Sequence, residues 1–388
     1  MMRILISLFI IGLVSACQQP ETNVTESIAI ADNQQQIPEH LPLVEDRDIK
    51  NVIFLIGDGT GLAQIASGQL ALVGPDGLLH MQTMPVTGFV KTHSSDNLIT
   101  DSASGATAYS CGLKTYNGAI GVNPEQIPCK TILELAEEQG LSTGLVSTSS
   151  ITHATPASFA THVEQRSMED EIAYDFLDSG VEVFLGGGFE YFSEQHRADS
   201  LDLIGEFEDA GYQILRTKDD LQNSTSNQLL GLFADDGLER ADTEPNSVAM
   251  IEKALSILSK NEDGFFLMLE GSQIDWAGHG NQVQYLLNEI KDFDAAVKAS
   301  LDFAQEDGET LVVLTADHET GGMTLQRQLA EGDSLEIFWT TGYHTGTPVP
   351  LMAYGPHATE FMGWRDNTYV GHKIAELLGL NGFPILIQ

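Results

Sequence analysis

Short apolar runs alternate with longer amphipathic stretches along residues 47–388. The apolar runs predict strands at Asn51–Ile56, Ser142–Ser147, Val181–Leu185, Phe265–Leu269, Thr310–Leu314 and Val349–Ala353. The amphipathic stretches predict helices at Leu62–Val73, Ser104–Gly112, Thr131–Gln139, Met168–Asp178, Asn246–Lys260, Val283–Gln305 and Asn367–Leu378. Continuously apolar strands separated by helices are typical of a sheet buried on both faces. The predicted fold class is α/β, with a mostly parallel central sheet and helices on both faces.

The first 46 residues lack this pattern. Arg3 is followed by an apolar run and then by Ser15-Ala16-Cys17, and this order is typical of an export signal. The run is shorter than the roughly 20 residues that a membrane-spanning helix needs. We expect a signal peptide at residues 1–16 and, because the ending resembles a bacterial lipobox, a lipid anchor at Cys17. An ordinary signal peptide is the alternative. Residues 17–46, which are rich in Gln, Glu, Asn and Thr, predict a flexible tether.

The charge and the cysteines limit the partners and the compartment. With 18 basic and 56 acidic residues the formal net charge is −38, which disfavours nucleic acids and anionic lipid surfaces as partners. A phosphate substrate would need local cations to reverse this field. Cys111 and Cys129 would meet an oxidising environment after export, and the sequence leaves open whether they pair or remain separate thiols.

Polar side chains follow three of the predicted strands. Asp58 follows the first strand between two glycines, Glu270 follows the fourth, and Asp317 and His318 follow the fifth. In open α/β sheets, sites form beyond the carboxyl ends of the strands. Three strands that end in this way therefore predict a site assembled from distant segments.

Asp275 and His279 are four residues apart, so a helical turn would place both on one face. Such a pair is commonly a surface salt bridge, but the nearby Glu270 favours a metal site. Carboxylate and imidazole donors together suit zinc or another transition metal.

Ser102 begins a helix of small residues. Its simplest interpretation is a helix N-cap, yet backbone amides at a helix N-terminus also bind phosphate. The Gly-x-Ser-x-Gly elbow is absent from this segment, which disfavours a base-activated serine hydrolase. A metal ion would have to activate the hydroxyl.

The motifs in this order resemble those of the alkaline phosphatase family. They are Gly57-Asp58-Gly59, Asp101-Ser102-Ala103, Thr152-His153-Ala154-Thr155-Pro156, Arg166, Glu270 with Asp275 and His279, Thr315-Ala316-Asp317-His318, and His344. The resemblance spans about residues 50–380. It implies metal-dependent hydrolysis of small phosphate monoesters through a phosphoserine, in phosphate scavenging outside the cytoplasm. A phosphodiesterase of the same superfamily is the alternative.

The resemblance also implies roles for individual residues. Ser102 would be the nucleophile, Arg166 would bind two phosphate oxygens, and Asp101 would position Arg166. One zinc would be bound by Asp275, His279 and His344, and a second by Asp58, Asp317 and His318. A magnesium ion would be bound by Asp58, Thr155, Glu270 and a water near His153.

Two positions depart from some branches of the family, which have Asp in place of His153 and Lys in place of Trp276. We group Trp276 with the substrate-binding residues. The resemblance implies a catalytic domain over residues 47–388 with a small crown-like insertion near 321–342, and it allows a homodimer. We expect the protein in the periplasm or on the outer membrane, anchored by lipid.

Overall fold

The computed structural model describes residues 24–32, 39–329 and 332–387. The predicted signal peptide at residues 1–16 and the predicted lipid anchor at Cys17 lie outside the described residues. Within the described ranges, none of the helices combines the length and the apolar character that a bilayer crossing needs.

The described residues form a central sheet of ten strands and three smaller sheets. The strands are β1 (Val24–Ala29), β2 (Asn51–Gly57), β3 (Val86–Lys91), β4 (Cys129–Lys130), β5 (Ser142–Ser150), β6 (Val183–Gly187), β7 (Gln213–Leu215), β8 (Leu229–Leu232), β9 (Phe265–Gly271), β10 (Thr310–Thr315), β11 (Glu319–Thr320), β12 (Met323–Gln328), β13 (Ser334–Trp339), β14 (His344–Thr345), β15 (Val349–Tyr354), β16 (Gly363–Asp366) and β17 (Ile385–Leu386). The central sheet has the order β16-β3-β15-β10-β2-β9-β5-β6-β8-β7. Only β15 runs antiparallel to its neighbours, so the predicted, mostly parallel sheet is confirmed.

Helices cover both faces of this sheet. They are α1 (Leu62–Leu72), α2 (Ser102–Cys111), α3 (Ile132–Glu138), α4 (Ala154–Ala160), α5 (Glu169–Asp175), α6 (Leu203–Asp209), α7 (Lys218–Asn223), α8 (Ser247–Leu258), α9 (Gln273–His279), α10 (Val283–Asp307) and α11 (Asn367–Leu377). Alternate residues of β2 enter two different cores: Phe54 packs with α2 and α4, and Leu55 packs with α8 and α10. Burial on both faces explains why the strand is apolar at every position.

The six predicted strands are present, with ends that differ by one to three residues. The predicted helix at Met168–Asp178 is shorter: it ends at Asp175 and continues as a 3₁₀ turn, Phe176–Asp178. Strands β3, β7, β8 and β16 were not predicted. They are short or half-exposed, as in the alternating buried and exposed residues of β3, so they lack a continuous apolar run.

The prediction of a flexible tether over residues 17–46 is wrong for Val24–Ala29. This segment forms β1, which pairs antiparallel with β13 along its whole length. Its sequence contains Val24, Thr25 and Ile28, β-branched residues that favour strands, and Ile28 is only 2% exposed. The hairpin β12–β13 occupies most of the segment predicted as a crown, and β1 extends it to three strands. The division into domains otherwise stays a prediction.

Cys111 and Cys129 form a disulfide, with their Cα atoms 5.9 Å apart. Of the two alternatives that the sequence leaves open, the structure contains the paired one. The bond joins the last residue of α2 to the first residue of β4. It therefore links the C-terminal end of α2, the end opposite Ser102, covalently to β4.

Candidate active site

The candidate site lies at the carboxyl ends of three adjacent strands, β10, β2 and β9. Ile56 of β2 pairs with Thr315 of β10 on one side and with Glu270 of β9 on the other. The residues that follow these positions, Asp58 and Asp317, therefore emerge at the same edge of the sheet. This parallel register explains how residues more than 200 positions apart in the chain form one site.

A first donor group consists of Asp275, His279 and His344, which we call the outer cluster. Asp275 and His279 lie on α9, and His344 lies on β14. The His279 Nε2 atom is 3.0 Å from His344 Nε2 and 3.4 Å from Asp275 Oδ2. The His279 side chain is 36% exposed, so this cluster faces the solvent.

A second donor group, the inner cluster, consists of Asp58, Asp317 and His318. The His318 Nε2 atom lies 3.5 Å from Asp58 Oδ1 and 3.2 Å from Asp317 Oδ2. All three side chains are fully buried. The Ser102 hydroxyl lies 3.3 Å from the same His318 nitrogen, so the candidate nucleophile is next to the inner cluster.

The N-cap of α2 is Asp101, and Ser102 is the first residue of the helix. The N-cap interpretation of Ser102 is therefore wrong. Asp101 accepts hydrogen bonds from the backbone N–H groups of Ser104 and Gly118, both at 3.0 Å. With the capping role filled by Asp101, the Ser102 hydroxyl is free to point into the site, at the end of the helix that favours anions.

A third donor group, the deep cluster, consists of Asp58, His153 and Glu270. Asp58 thus belongs to two clusters. The His153 Nδ1 atom is 3.9 Å from Glu270 Oε1, while its Nε2 atom lies 2.8 Å from an Arg166 nitrogen. Because Arg166 can only donate, His153 Nε2 must accept, and the proton of the neutral ring is on Nδ1. An N–H group on that side suits a water molecule better than direct binding to a metal ion.

Arg166 is held from two sides. One guanidinium nitrogen donates to His153, and another lies 3.3 Å from Asp101 Oδ2. The Arg166 side chain remains 30% exposed. A planar guanidinium presented in this way can bind two oxygens of a phosphate.

Polar groups that the sequence analysis missed orient the imidazoles. His279 Nδ1 and His344 Nδ1 each donate at 2.9 Å to a backbone carbonyl, that of Gly342 and of Thr100 respectively. Thr320 Oγ1 donates to Asp275 and lies 3.2 Å from His318 Nδ1. All three rings therefore present an unprotonated Nε2 to the site, as metal-binding histidines do. The backbone carbonyls leave no signal in the sequence, whereas Thr320 could have been noticed two residues after His318.

The electrostatics of the site favour a bound cation. Burial raises the pKa of Asp275 to about 6 and that of Glu270 to about 7. Burial, followed by repulsion from Asp317, raises the pKa of Asp58 well above its usual range. Burial and nearby Arg166 lower the pKa of His318 far below its usual value. Without a cation, ionisation of these carboxylates is therefore unfavourable, and the His318 imidazole is neutral.

Several oxygens in the site lack internal partners. Within the described part of the chain, five buried oxygens of the inner and deep clusters and their surroundings have no hydrogen-bond donor: Asp58 Oδ1 and Oδ2, Asp317 Oδ2, Glu270 Oε1 and Thr155 Oγ1. Buried polar atoms are normally paired, and buried carboxylates without a donor are costly unless a cation neutralises them. The donor set of carboxylate oxygens and neutral imidazoles therefore fits metal ions.

The Trp276 ring contacts His153 edge to face, with the ring centroids 6.2 Å apart. On its other side the indole lies so close to Gly237 that a Cβ atom there would be 2.4 Å from the ring. Trp276 is thus next to the deep cluster, one ring away from Arg166. Its role in substrate binding stays a prediction.

Comparisons with known proteins agree on one family. The family model described as alkaline phosphatase matches residues 49–335. Alkaline phosphatase 3 of Bacillus subtilis is 36% identical over 86% of this chain and 90% of its own length. The alkaline phosphatase of Escherichia coli is 32% identical, with 87% of this chain and 88% of the relative covered.

Solved structures lead to the same family. The alkaline phosphatase of the Antarctic bacterium TAB5 has a TM-score of 0.80 and 42% identity, covering 86% of this chain and all of that one. A variant of the TAB5 enzyme, in which aspartate replaces a histidine, has Mg bound in its M3 site. The chain therefore belongs to the alkaline phosphatase family and is a metal-binding hydrolase of phosphate monoesters.

Proposed function

We propose that the protein hydrolyses phosphate monoesters in two displacements at Ser102, with zinc at the outer and inner clusters and magnesium at the deep cluster. The observation that carries this proposal is the position of the Ser102 hydroxyl. It lies at the N-terminus of α2, 3.3 Å from His318 Nε2 of the inner cluster. The hydroxyl is thus next to metal donors and at an anion-binding helix end.

Ser102 and Arg166 would carry the substrate through the reaction. Arg166, held by Asp101 and His153, would bind two nonbridging oxygens of the phosphate. The Ser102 hydroxyl would lose its proton to water as its oxygen attacks phosphorus, and the bond to the alcohol oxygen would break, so that the leaving alkoxide takes up a proton from solvent and departs as the alcohol. A water molecule would then attack the phosphoserine from the vacated side, releasing phosphate and restoring the Ser102 hydroxyl. When bound, the metal ions would lower the pKa of the hydroxyl and of the water and would neutralise charge on the leaving oxygen.

The residues at the three clusters support this choice of metals. The outer and inner clusters combine imidazole with carboxylate donors, which suits zinc. The deep cluster offers Asp58, Glu270 and Thr155 oxygens, and its imidazole presents an N–H group. Oxygen donors and room for water suit magnesium. Elemental analysis that finds fewer than two zinc ions per active chain would contradict this assignment.

Turnover of para-nitrophenyl phosphate and of its bis ester separates a monoesterase from a diesterase. We expect the monoester to be hydrolysed faster, because a diester has only two nonbridging oxygens: if Arg166 binds both, none is left for the metal ions, whereas a monoester keeps a third. Preference for the bis ester would instead support the phosphodiesterase alternative.

The variant Ser102→Ala tests the nucleophile. We expect it to lose nearly all turnover while it still binds zinc and phosphate, because the clusters are intact. Acid quenching of the wild type with labelled substrate should trap label on the chain, and the variant should trap none. A variant that retained more than about a tenth of the wild-type rate, a barrier difference of at most about 1.4 kcal/mol, would exclude Ser102 as the nucleophile.

We also propose that the protein is exported and anchored by lipid at Cys17, where it would scavenge phosphate. The Cys111–Cys129 disulfide supports export, since such bonds persist in oxidising compartments. Labelling with a palmitate analogue tests the anchor: the wild type should be marked and Cys17→Ser should not. A homodimer stays a prediction, to be tested by sedimentation.

A further inference from the structure

The N-terminal strand β1 bonds, through one side chain, to two segments that lie next to the outer cluster in the sequence. Glu26 is the third residue of β1, which forms the edge of the small sheet β1-β13-β12. Its Oε2 atom accepts two hydrogen bonds, from the backbone N–H of Val283 at 2.7 Å and from the indole N–H of Trp339 at 3.0 Å. Glu26 thus joins two parts of the chain that are otherwise far apart in sequence.

Both of these parts lead directly to a histidine of the outer cluster. Val283 begins α10, and His279 lies four residues before it at the end of α9. Trp339 ends β13, and His344 lies five residues after it. The two imidazoles meet with their Nε2 atoms 3.0 Å apart. A single carboxylate oxygen therefore bonds to both segments whose relative position sets the distance between these ligands.

The connection from Trp339 to the cluster is closely packed and hydrogen-bonded. Trp339 is fully buried, and its ring lies where a Cβ atom of Gly321 would be 2.5 Å away. The Gly321 N–H donates to the Tyr343 carbonyl at 2.9 Å, and its own carbonyl accepts from Thr340. The same loop supplies the Gly342 carbonyl that orients His279. Displacement of the Trp339 ring would therefore disturb both histidines.

The bond between Glu26 and Val283 also has an electrostatic component. The 25-residue helix α10 has no acidic residue in its first turn, and its N-cap, Gln282, makes no side-chain capping bond. The Glu26 carboxylate supplies a negative charge at this helix N-terminus, where it is stabilising. Glu26 therefore acts as the cap that the local sequence of α10 lacks.

We propose that Glu26 is a positioning residue that fixes the geometry of the outer cluster, so that the N-terminal strand controls how long a metal ion stays bound there. The inference rests on the proposed assignment of zinc to this cluster. Without Glu26, the start of α10 and the 340–344 loop would be joined, within the described ranges, only by the bonds of His279 to the Gly342 carbonyl and of Asn281 to the Thr341 carbonyl, beside the ligands themselves. The ligand distance would then fluctuate, and zinc would leave faster.

The rate of zinc release to a chromogenic chelator tests this inference on the zinc-loaded enzyme. We compare the wild type with Glu26→Ala, Glu26→Gln and, as a matched control on the same strand, the exposed Ser27→Ala. We expect Glu26→Ala to release one of its two zinc ions at least tenfold faster. Glu26→Gln, which keeps an acceptor oxygen, should fall between it and the wild type, and Ser27→Ala should match the wild type. Added zinc should restore the activity that Glu26→Ala loses.

A rate of zinc release from Glu26→Ala within twofold of the wild-type rate would overturn the inference. If the unfolding midpoint of Glu26→Ala were lowered in that case, Glu26 would contribute to stability only. If Glu26→Ala does not fold, Trp339→Phe removes the indole donor and must also release zinc faster. A wild type that binds fewer than two zinc ions would contradict the proposed function itself, which is a different result.

Discussion

At the scale of single residues, the site is built from groups that are unfavourable unless a cation joins them. Asp58 is shared by the inner and deep clusters, and neither of its oxygens has a donor within the described ranges. Asp317 and Glu270 both raise its pKa further. Proteins retain such unfavourable buried carboxylates where function needs their charge. The outer cluster differs, since its histidine rings are oriented by carbonyls and one of them is exposed.

Metal binding at the deep cluster should depend on pH through Glu270. Burial raises the pKa of Glu270 to about 7 from an ordinary value of 4.5, so below that pH a proton competes with the cation. Magnesium affinity should therefore rise as the pH increases through about 7, and binding at pH 6 should release a proton.

Calorimetric titration of the zinc-loaded enzyme with magnesium, in two buffers of different ionisation enthalpy, measures this release. Preloading with zinc leaves only the deep cluster to fill. Equal affinities at pH 6 and pH 8, with no proton released at pH 6, would contradict the prediction that a proton on Glu270 competes with the cation.

The double variant His153→Asp with Trp276→Lys should tighten phosphate inhibition and make activity more dependent on magnesium. The change removes the acceptor that takes one N–H group of Arg166, adds a carboxylate beside the deep cluster, and places an ammonium next to it. The expected effect on the inhibition constant is about 1–2 kcal/mol, as for one charge-assisted hydrogen bond.

Trp364→Lys is a suitable control, because that indole is 65% exposed on the edge strand β16. An unchanged inhibition constant together with lower stability in the double variant would show that Trp276 only packs against His153 and Gly237.

At the scale of elements, the sequence predicted the strands that carry the site better than it predicted those at the edges of the sheet. Strands β2, β9 and β10 are buried on both faces, so each has a continuous apolar run, and the polar residues Asp58, Glu270 and Asp317 visibly follow those runs. Strand β1 was missed because only Ile28 is buried and its partner β13 lies some 300 residues later. Contacts made over such separations leave no local pattern.

The disulfide should stabilise the helix that carries Ser102. It closes a loop of 18 residues between α2 and β4, which the chain-entropy model values at about 3 kcal/mol. We expect Cys111→Ala with Cys129→Ala to lower the free energy of unfolding by about 2–4 kcal/mol in urea titrations. Turnover at 25 °C should stay near the wild-type value, because Ser102 is at the opposite end of α2. A free energy of unfolding equal to that of the wild type would show that packing alone holds this end of the helix.

At the scale of the whole molecule, two sources of negative charge must be distinguished. The formal net charge of −38 is spread over the chain, and salt screens such surface charges within about 10 Å at 0.1 M. The buried carboxylates of the site, Asp58, Glu270, Asp275 and Asp317, are screened far less. Arg166 is the only cationic side chain bonded to the site residues in the described ranges. A phosphate dianion therefore needs the metal ions before it can bind.

Removal of the metals by a chelator should abolish turnover and lower the unfolding midpoint, since the four carboxylates would remain buried at pH 8 without a counter-charge. Zinc should restore both, and better than magnesium alone. An ion that binds only the folded state stabilises it by about 2.7 kcal/mol at a hundred times its dissociation constant. Calorimetric scans of the stripped protein with zinc, with magnesium or with 0.5 M sodium chloride measure the difference. If sodium chloride raised the midpoint as much as zinc does, repulsion across the acidic surface, and not the buried carboxylates, would be what destabilises the metal-free protein.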